Sequence, residues 1–205
     1  MGRTPSDIAP RVVHAARRRF LAEGVEGASL RAIARDAKTS IGMIYYYFPT
    51  KDDLFLGVVE EIYVALLKDL EARLERTRPV LERIRLLYER LGALERQEQD
   101  VLRLVIREAL SSPVRLQKII HRFQRGHLPL VLGLARDGVD EGVFRDDIPV
   151  GLLVATLAAL GGPAQVMLGV AERELPSRKL PRGRDPAGAL VDVLLHGVAA
   201  RRRQR

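Results

Sequence analysis

The sequence predicts an all-α protein: a three-helix head carrying a helix-turn-helix, then a longer helical bundle. Three observations carry this. Apolar residues recur at helical spacing through most of the chain, and no run of alternating β-branched residues marks a strand. Two short periodic segments, separated by about three residues, lie in a basic N-terminal quarter. Glycines and prolines then divide the remainder into further helix-length pieces.

The first helix is expected over about Asp7 to Glu23, with Ser6 as N-cap. Ile8, Val12, Ala15, Ala16 and Phe20 share one face, and Gly24 supplies the stop. Ser29 caps a second helix in which Leu30, Ile33, Ala34 and Ala37 recur at i, i+3, i+4 and i+7. After a break at Lys38 to Ser40, a third helix covers about Ile41 to Tyr47, ended by Pro49. Thr50 caps a long fourth helix, with Asp53 placed as a capping-box acid. Leu54, Val58, Ile62, Leu66, Leu70 and Leu74 repeat along it, and Pro79 closes it. Further helices are expected at Pro79 to Arg96, Gln97 to Leu110 and Pro113 to Asp137. A Gly-rich loop, Gly138 to Asp147, precedes two final helices, Pro149 to Arg173 and Pro186 to Arg203. Pro176 and Pro181 make Glu174 to Asp185 a loop. The domain division is residues 1–52 for the head, with the helix-turn-helix at about 29–48, and 53–205 for the body.

Composition excludes several chemistries. At 205 residues and 47% apolar, the chain can bury a sizeable core. Without cysteine it has no disulfide, zinc-thiolate site or thiol nucleophile. His14, His121, His127 and His196 do not converge in sequence, so no metal site is expected. No G-x-S-x-G, Walker loop or paired-His motif is present, which argues against an enzyme. Net charge is +8, and nine Lys or Arg against four acids place +5 of it in Met1 to Lys51. A nucleic acid is the partner such a head suits. Arg17, Arg18 and Arg19 read as a solvated helix face, and Arg201 to Arg205 as a solvated helix end. No apolar stretch follows Met1 as a secretory signal would require. Ile148 to Ala171 carries no charge and has the length of a membrane span. Its Pro149, Gln165 and Gly161-Gly162-Pro163, and its richness in Ala and Gly, favour a helix buried on all sides, in a core or a dimer interface.

The third helix is the informative one. Ile44 and Phe48, four apart, can pin it to the core. Ser40, Ile41, Gly42, Met43, Tyr45 and Tyr46 are then left exposed, and exposed apolar and aromatic residues on a short helix call for a partner. A DNA major groove admits a helix and offers thymine methyls and base edges.

The string Gly24-(x)4-Ser29-Leu30-(x)2-Ile33-Ala34-(x)5-Ser40-(x)4-Tyr45-(x)2-Phe48-(x)2-Lys51-(x)2-Leu54 resembles the head of TetR-family regulators, and Ala16, Phe20 and Ala37 fit the same pattern. The resemblance covers Asp7 to Phe55. Lys38 departs from it, standing where the family usually has Gly. This implies mild strain or an altered turn there, and an extra cation near DNA.

The resemblance implies that the third helix lies in the major groove. Ile41 and Met43 would pack on thymine methyls, and Gly42 would permit close approach. Arg31 would reach a base, its fork suiting guanine. Tyr45, Tyr46, Tyr47, Thr50 and Lys51 would hold phosphates, helped by free N–H groups at the start of the fourth helix. Thr39 and Ser40 complete the set. Tyr47 is equally well placed as core.

The body resembles the family in layout, with Gly142 to Asp147 like the loop before its last two helices. Those helices would pair with their twins, Ala155, Ala158, Ala159, Gly161 and Gly162 allowing close approach. Leu190, Val191, Leu194, Leu195 and Val198 give the last helix an apolar stripe. By the same analogy Tyr88, Leu102, Ile106, Phe123, His127 and Met167 are candidates to line a pocket for a small hydrophobic effector. Arg103 and Arg107 could meet an acidic ligand or form a salt-bridged surface. The implied function is a cytoplasmic, homodimeric, ligand-responsive repressor of a palindromic operator, with double-stranded DNA and an effector as partners, no membrane and no cofactor. The alternatives are a sequence-blind basic DNA binder and a peripheral membrane-binding helical module.

Overall fold

A computed structural model describes residues 7–174 and 186–196. The described residues form eleven helices and no strand: α1 (Ile8–Gly27), α2 (Leu30–Asp36), α3 (Ile41–Tyr47), α4 (Lys51–Arg73), α5 (Val80–Gly92), α6 (Arg96–Ser111), α7 (Pro113–Gln124), α8 (His127–Asp140), α9 (Val150–Gly161), α10 (Pro163–Glu174) and α11 (Pro186–His196). The Ser6 cap, the 175–185 loop with Pro176 and Pro181, Val198, the end of the last helix to Arg203 and the Arg201–Arg205 tail lie outside the described residues. The chain divides into two compact units. Unit 1 joins residues 1–66 to 95–123; unit 2 joins 67–94 to 124–205. Packing therefore groups α6 and most of α7 with the head.

In unit 1 the expected face of α1 is buried at Val12, Ala15, Ala16 and Phe20, and Ile8 is half-buried. Gly24 does not stop the helix. It kinks it, with φ +77° and ψ 166°, and helix resumes to Gly27. A kink leaves backbone groups without intrahelical partners. Here α6 supplies them: Arg107 donates to the carbonyls of Phe20 and Leu21, and the Val25 N–H donates to Glu108 Oε1 at 3.2 Å. Arg107 is thus tied into the fold rather than facing a ligand; Arg103 pairs with Asp100 at 3.5 Å. Glu108, buried, accepts from the buried Arg115 at 3.0 Å. Arg115 also donates to Glu26 at 2.8 Å and Asp52 at 3.1 Å. Further along α7, Lys118 meets Asp53 at 3.2 Å. Arg122 grips Glu60 at 2.5 and 2.8 Å and lies 4.5 Å from the Tyr63 ring centroid. A basic edge of α7 thus docks on an acidic edge of α4.

The helix expected from Pro113 to Asp137 is two helices, broken at Gly126, and only α8 lies in unit 2. Pro129 cannot donate to the Arg125 carbonyl, so it is accommodated in the first turn of a new helix. The helix expected from Pro149 to Arg173 is likewise α9 and α10. Pro163 lacks the N–H that Ala159 would need, while Gly162 N–H still reaches Ala158 (3.2 Å) and Val166 N–H starts the next helix on Gly162 (3.1 Å). The described part of the last helix ends at His196. The end of α8 is a Schellman cap, with Val143 N–H on Gly138 (2.8 Å), Gly142 N–H on Val139 (3.0 Å) and Gly142 at φ +69°. Buried Arg83 bonds Asp137 at 2.8 Å, and Arg76 grips the other oxygen of that carboxylate.

The apolar segment is not enclosed in a core. Val150–Ala171 is long and apolar enough to cross a membrane by length and composition, and only 22% of it is buried. Leu153 and Leu157 face inward, while Leu152, Ala155, Ala158, Ala159, Met167 and Val170 are exposed in the single chain. Gly161 and Gly162, expected at a dimer seam, are buried instead; a Cβ on Gly161 would lie 2.9 Å from Leu91 Cδ1 of α5.

Candidate nucleic-acid interface

Local chemistry builds the α2–α3 pair. The Ser29 hydroxyl accepts the Ala32 N–H at 3.4 Å, and Ser40 accepts the Met43 N–H at 3.2 Å. Each cap satisfies one N–H that the first turn of a helix leaves free. Ile33, Ala34, Ala37 and Ile44 are buried and hold the pair against α1. Phe48 closes α3, its N–H on Ile44 at 2.8 Å, and its ring rests on Gly57 of α4, where a Cβ would come within 2.8 Å of it. Gly57 was not among the expected site residues. A glycine inside a long helix of good helix formers is the signal that marks it.

With Ile44 inward, α3 turns Ile41 (37% exposed), Tyr45 (49%) and Tyr46 (75%) outward, which is much apolar and aromatic surface for a seven-residue helix. Ser40 and Gly42 are exposed beside them, and Thr39 and Met43 half-exposed. A Cβ at Gly42 would meet only Ser40 Oγ, at 3.8 Å, so a partner can approach the backbone there. Tyr47 is half-buried, edge-on to Tyr46 at 5.1 Å. Arg31 is exposed on α2.

The start of α4 differs from a bare helix terminus. Thr50 and Asp53 form the expected reciprocal box, Asp53 N–H on Thr50 Oγ1 and Thr50 N–H on Asp53 Oδ2, both at 3.1 Å. The Thr50 hydroxyl, then Lys118, hold the Asp53 carboxyl below its ordinary range. Lys51 Nζ donates to the Glu26 carbonyl at 2.7 Å, tying α4 to the end of α1. Arg17 and Arg19 are ion-paired rather than merely solvated: Arg17 with Glu61 (3.4 Å), Arg19 with Asp36 (2.8 Å) and Glu23 (2.9 Å). Arg18 is exposed.

Residues 12–58, which hold the helix pair and the start of α4, match the family model for bacterial regulatory proteins of the tetR family. Over these residues the chain matches the TetR family. It is 28% identical over 167 residues to the HTH-type transcriptional repressor SCO4008 of Streptomyces coelicolor, across 80% of this chain and 82% of that protein. It is 24% identical over 102 residues to an HTH-type transcriptional regulator of Haemophilus influenzae, and this match spans about half of each, 50% and 54%. Among solved structures, the transcriptional regulator FadR of Bacillus subtilis in complex with stearoyl-CoA superposes with a TM-score of 0.74 at 16% identity, over 93% of this chain and 99% of that one. The fold of that regulator thus extends beyond the head, over most of this chain.

The expected pocket residues fall in both units. Unit 1 holds Leu102 and Ile106, half-buried, and Phe123, tilted against Tyr63 at 5.6 Å. Unit 2 holds Tyr88 in its core, the hydroxyl on the Leu157 carbonyl at 3.3 Å and pushed upward in pKa by burial. His127 is half-buried there, and Met167 is 73% exposed on α10. None of the six lines the groove of about 600 Å³ between α5 and α11, whose walls include Arg85, Glu89, Asp192 and His196.

Proposed function

We propose that this protein is a ligand-responsive repressor of the TetR family, a homodimer in the cytoplasm whose two heads read a palindromic operator and which a small hydrophobic effector releases. The observation that carries it is α3: Ile41, Tyr45 and Tyr46 are held outward by one buried residue, Ile44, on a doubly capped helix pair. In this reading Ile41, Gly42 and Met43 face bases with Arg31, and Thr39, Ser40, Tyr45, Tyr46, Tyr47, Thr50 and Lys51 hold the backbone. Residues 1–52 bind DNA, and 53–205 sense and dimerise. Exposed Leu152, Met167 and Val170, with Ala155, Ala158 and Ala159, support α9 and α10 as the pairing face. An acyl-CoA bound to FadR, which shares this fold, supports a hydrophobic effector, as do the mostly apolar pocket candidates.

Selection of bound duplexes from a random library, with the mass of the complex, tests this. A palindrome bound by one or two dimers is expected. Arg31→Ala should then lose about 1–3 kcal/mol of preference at one base pair, and Lys51→Ala should weaken all sequences alike. Salt-sensitive binding without sequence preference would reduce the protein to a general basic DNA binder.

A further inference from the structure

Lys38 is the one non-glycine residue with positive φ (+51°) among the described residues. It stands at the end of α2 in a Schellman cap, Thr39 N–H on Ala34 (3.0 Å) and Lys38 N–H on Arg35 (3.1 Å). That is the position where a helix ordinarily places glycine, because a Cβ there meets the backbone. A lysine here therefore costs stability that glycine would not, and a strained exposed residue invites a functional reason. Its charge supplies one. Across residues 29–51 the cations are Arg31, Arg35, Lys38 and Lys51, against Asp36 alone. Asp36 is taken by Arg19 at 2.8 Å. Lys38 is exposed, has no ion pair among the described residues, and precedes by two residues the Ser40 cap of α3.

We propose that Lys38 is a DNA-phosphate contact at the entry of the recognition helix, its left-handed backbone retained because it carries the ammonium there. This rests on the DNA-binding reading of α3. A point charge on a flexible stem suits a phosphate, which needs no bidentate geometry. The contact neutralises one phosphate and reads no base.

The test compares Lys38→Gly, Lys38→Gln and wild type on the selected duplex across salt concentrations, with thermal melts of the free proteins. Lys38→Gly should melt roughly 2–4 °C higher yet bind every duplex severalfold more weakly, its log–log salt slope shallower by about one. Lys38→Gln should show the same loss in binding and slope without the gain in melting temperature. An unchanged salt slope in both variants, with wild type binding its duplex, overturns this proposal alone. Weakening confined to one base-pair identity also overturns it, in favour of base reading. Wild type that binds no duplex overturns the DNA-binding reading and this proposal together.

Discussion

α2 and α8 end in the same way. Each closes with a six-to-one and a five-to-two backbone bond, and each puts its third-from-last carbonyl, Ala34 or Gly138, under the residue that follows the turn. The residue that turns the chain is Lys38 in one and Gly142 in the other, at φ +51° and +69°. In unit 2 the turn only redirects the chain, and glycine does that without strain. In unit 1 the turn opens onto the exposed face of α3, and a charged side chain stands there at the expense of the backbone.

The two units repeat the comparison at larger scale. Each is locked by a buried arginine on a carboxylate, Arg115 on Glu108 and Arg83 on Asp137. Each also seats a phenylalanine ring on a glycine, Phe48 on Gly57 and Phe144 on Gly138. In unit 1 both devices set where the helix-turn-helix sits. In unit 2 the arginine ties α5 to the end of α8, and the phenylalanine folds the segment after α8 back onto it.

The arginines separate the units most strongly. Arg115→Ala leaves Glu26, Asp52 and Glu108 without their shared cation and should cost about 3–5 kcal/mol in urea unfolding. Arg83→Ala leaves Asp137 still held by Arg76, so the cost should be nearer about 1.5–3 kcal/mol. Equal losses would mean that the exposed Arg76 contributes nothing.

The glycines come next. Gly57→Ala and Gly138→Ala each press a methyl into a phenylalanine ring, at about 1–3 kcal/mol. Gly57→Ala should also weaken DNA binding at temperatures where the protein is still fully folded, because Phe48 closes α3; Gly138→Ala should not. Binding titrations at equal folded fraction would show it.

Smaller still is the cap at Ser40. Ser40→Ala frees the Met43 N–H and should cost about 1 kcal/mol. A Ser40→Asp variant should recover that stability, while its negative charge beside the groove weakens DNA binding.

The mildest effect is on acid sensitivity. The Arg76 bond, then that of Arg83, hold the Asp137 carboxyl below its ordinary value of 3.8. A depressed folded pKa contributes stability that is fully present above the ordinary value and is lost as pH falls through the folded one. Urea midpoints should therefore decline below about pH 4, and Asp137→Asn should flatten that decline. In unit 1 Asp53→Asn should flatten it too, since Asp53 is also held low.

What the sequence determined by itself is the head. Caps at Ser29, Ser40 and Thr50 and the irregular turn at Lys38 rest on contacts within a few residues, and the inward face of α1 and the outward residues of α3 follow from spacing along one helix. Such contacts leave a readable spacing. The spacing predicts one helix through Gly126 and one through Gly162, and the breaks found there go with Pro129 and Pro163, which lack the N–H a continuous helix needs. Tertiary structure alone decided the rest. Arg115 meets Asp52 and Glu26 across 63 and 89 residues, and Arg107 reaches Phe20 across 87. Gly24 reads as a stop, yet it is a kink because α6 satisfies the backbone groups it exposes. Gly161 reads as a dimer residue, yet Leu91 fills its place from within the same unit. A side chain's spacing shows which way it points, but its partner depends on which distant helix arrives there.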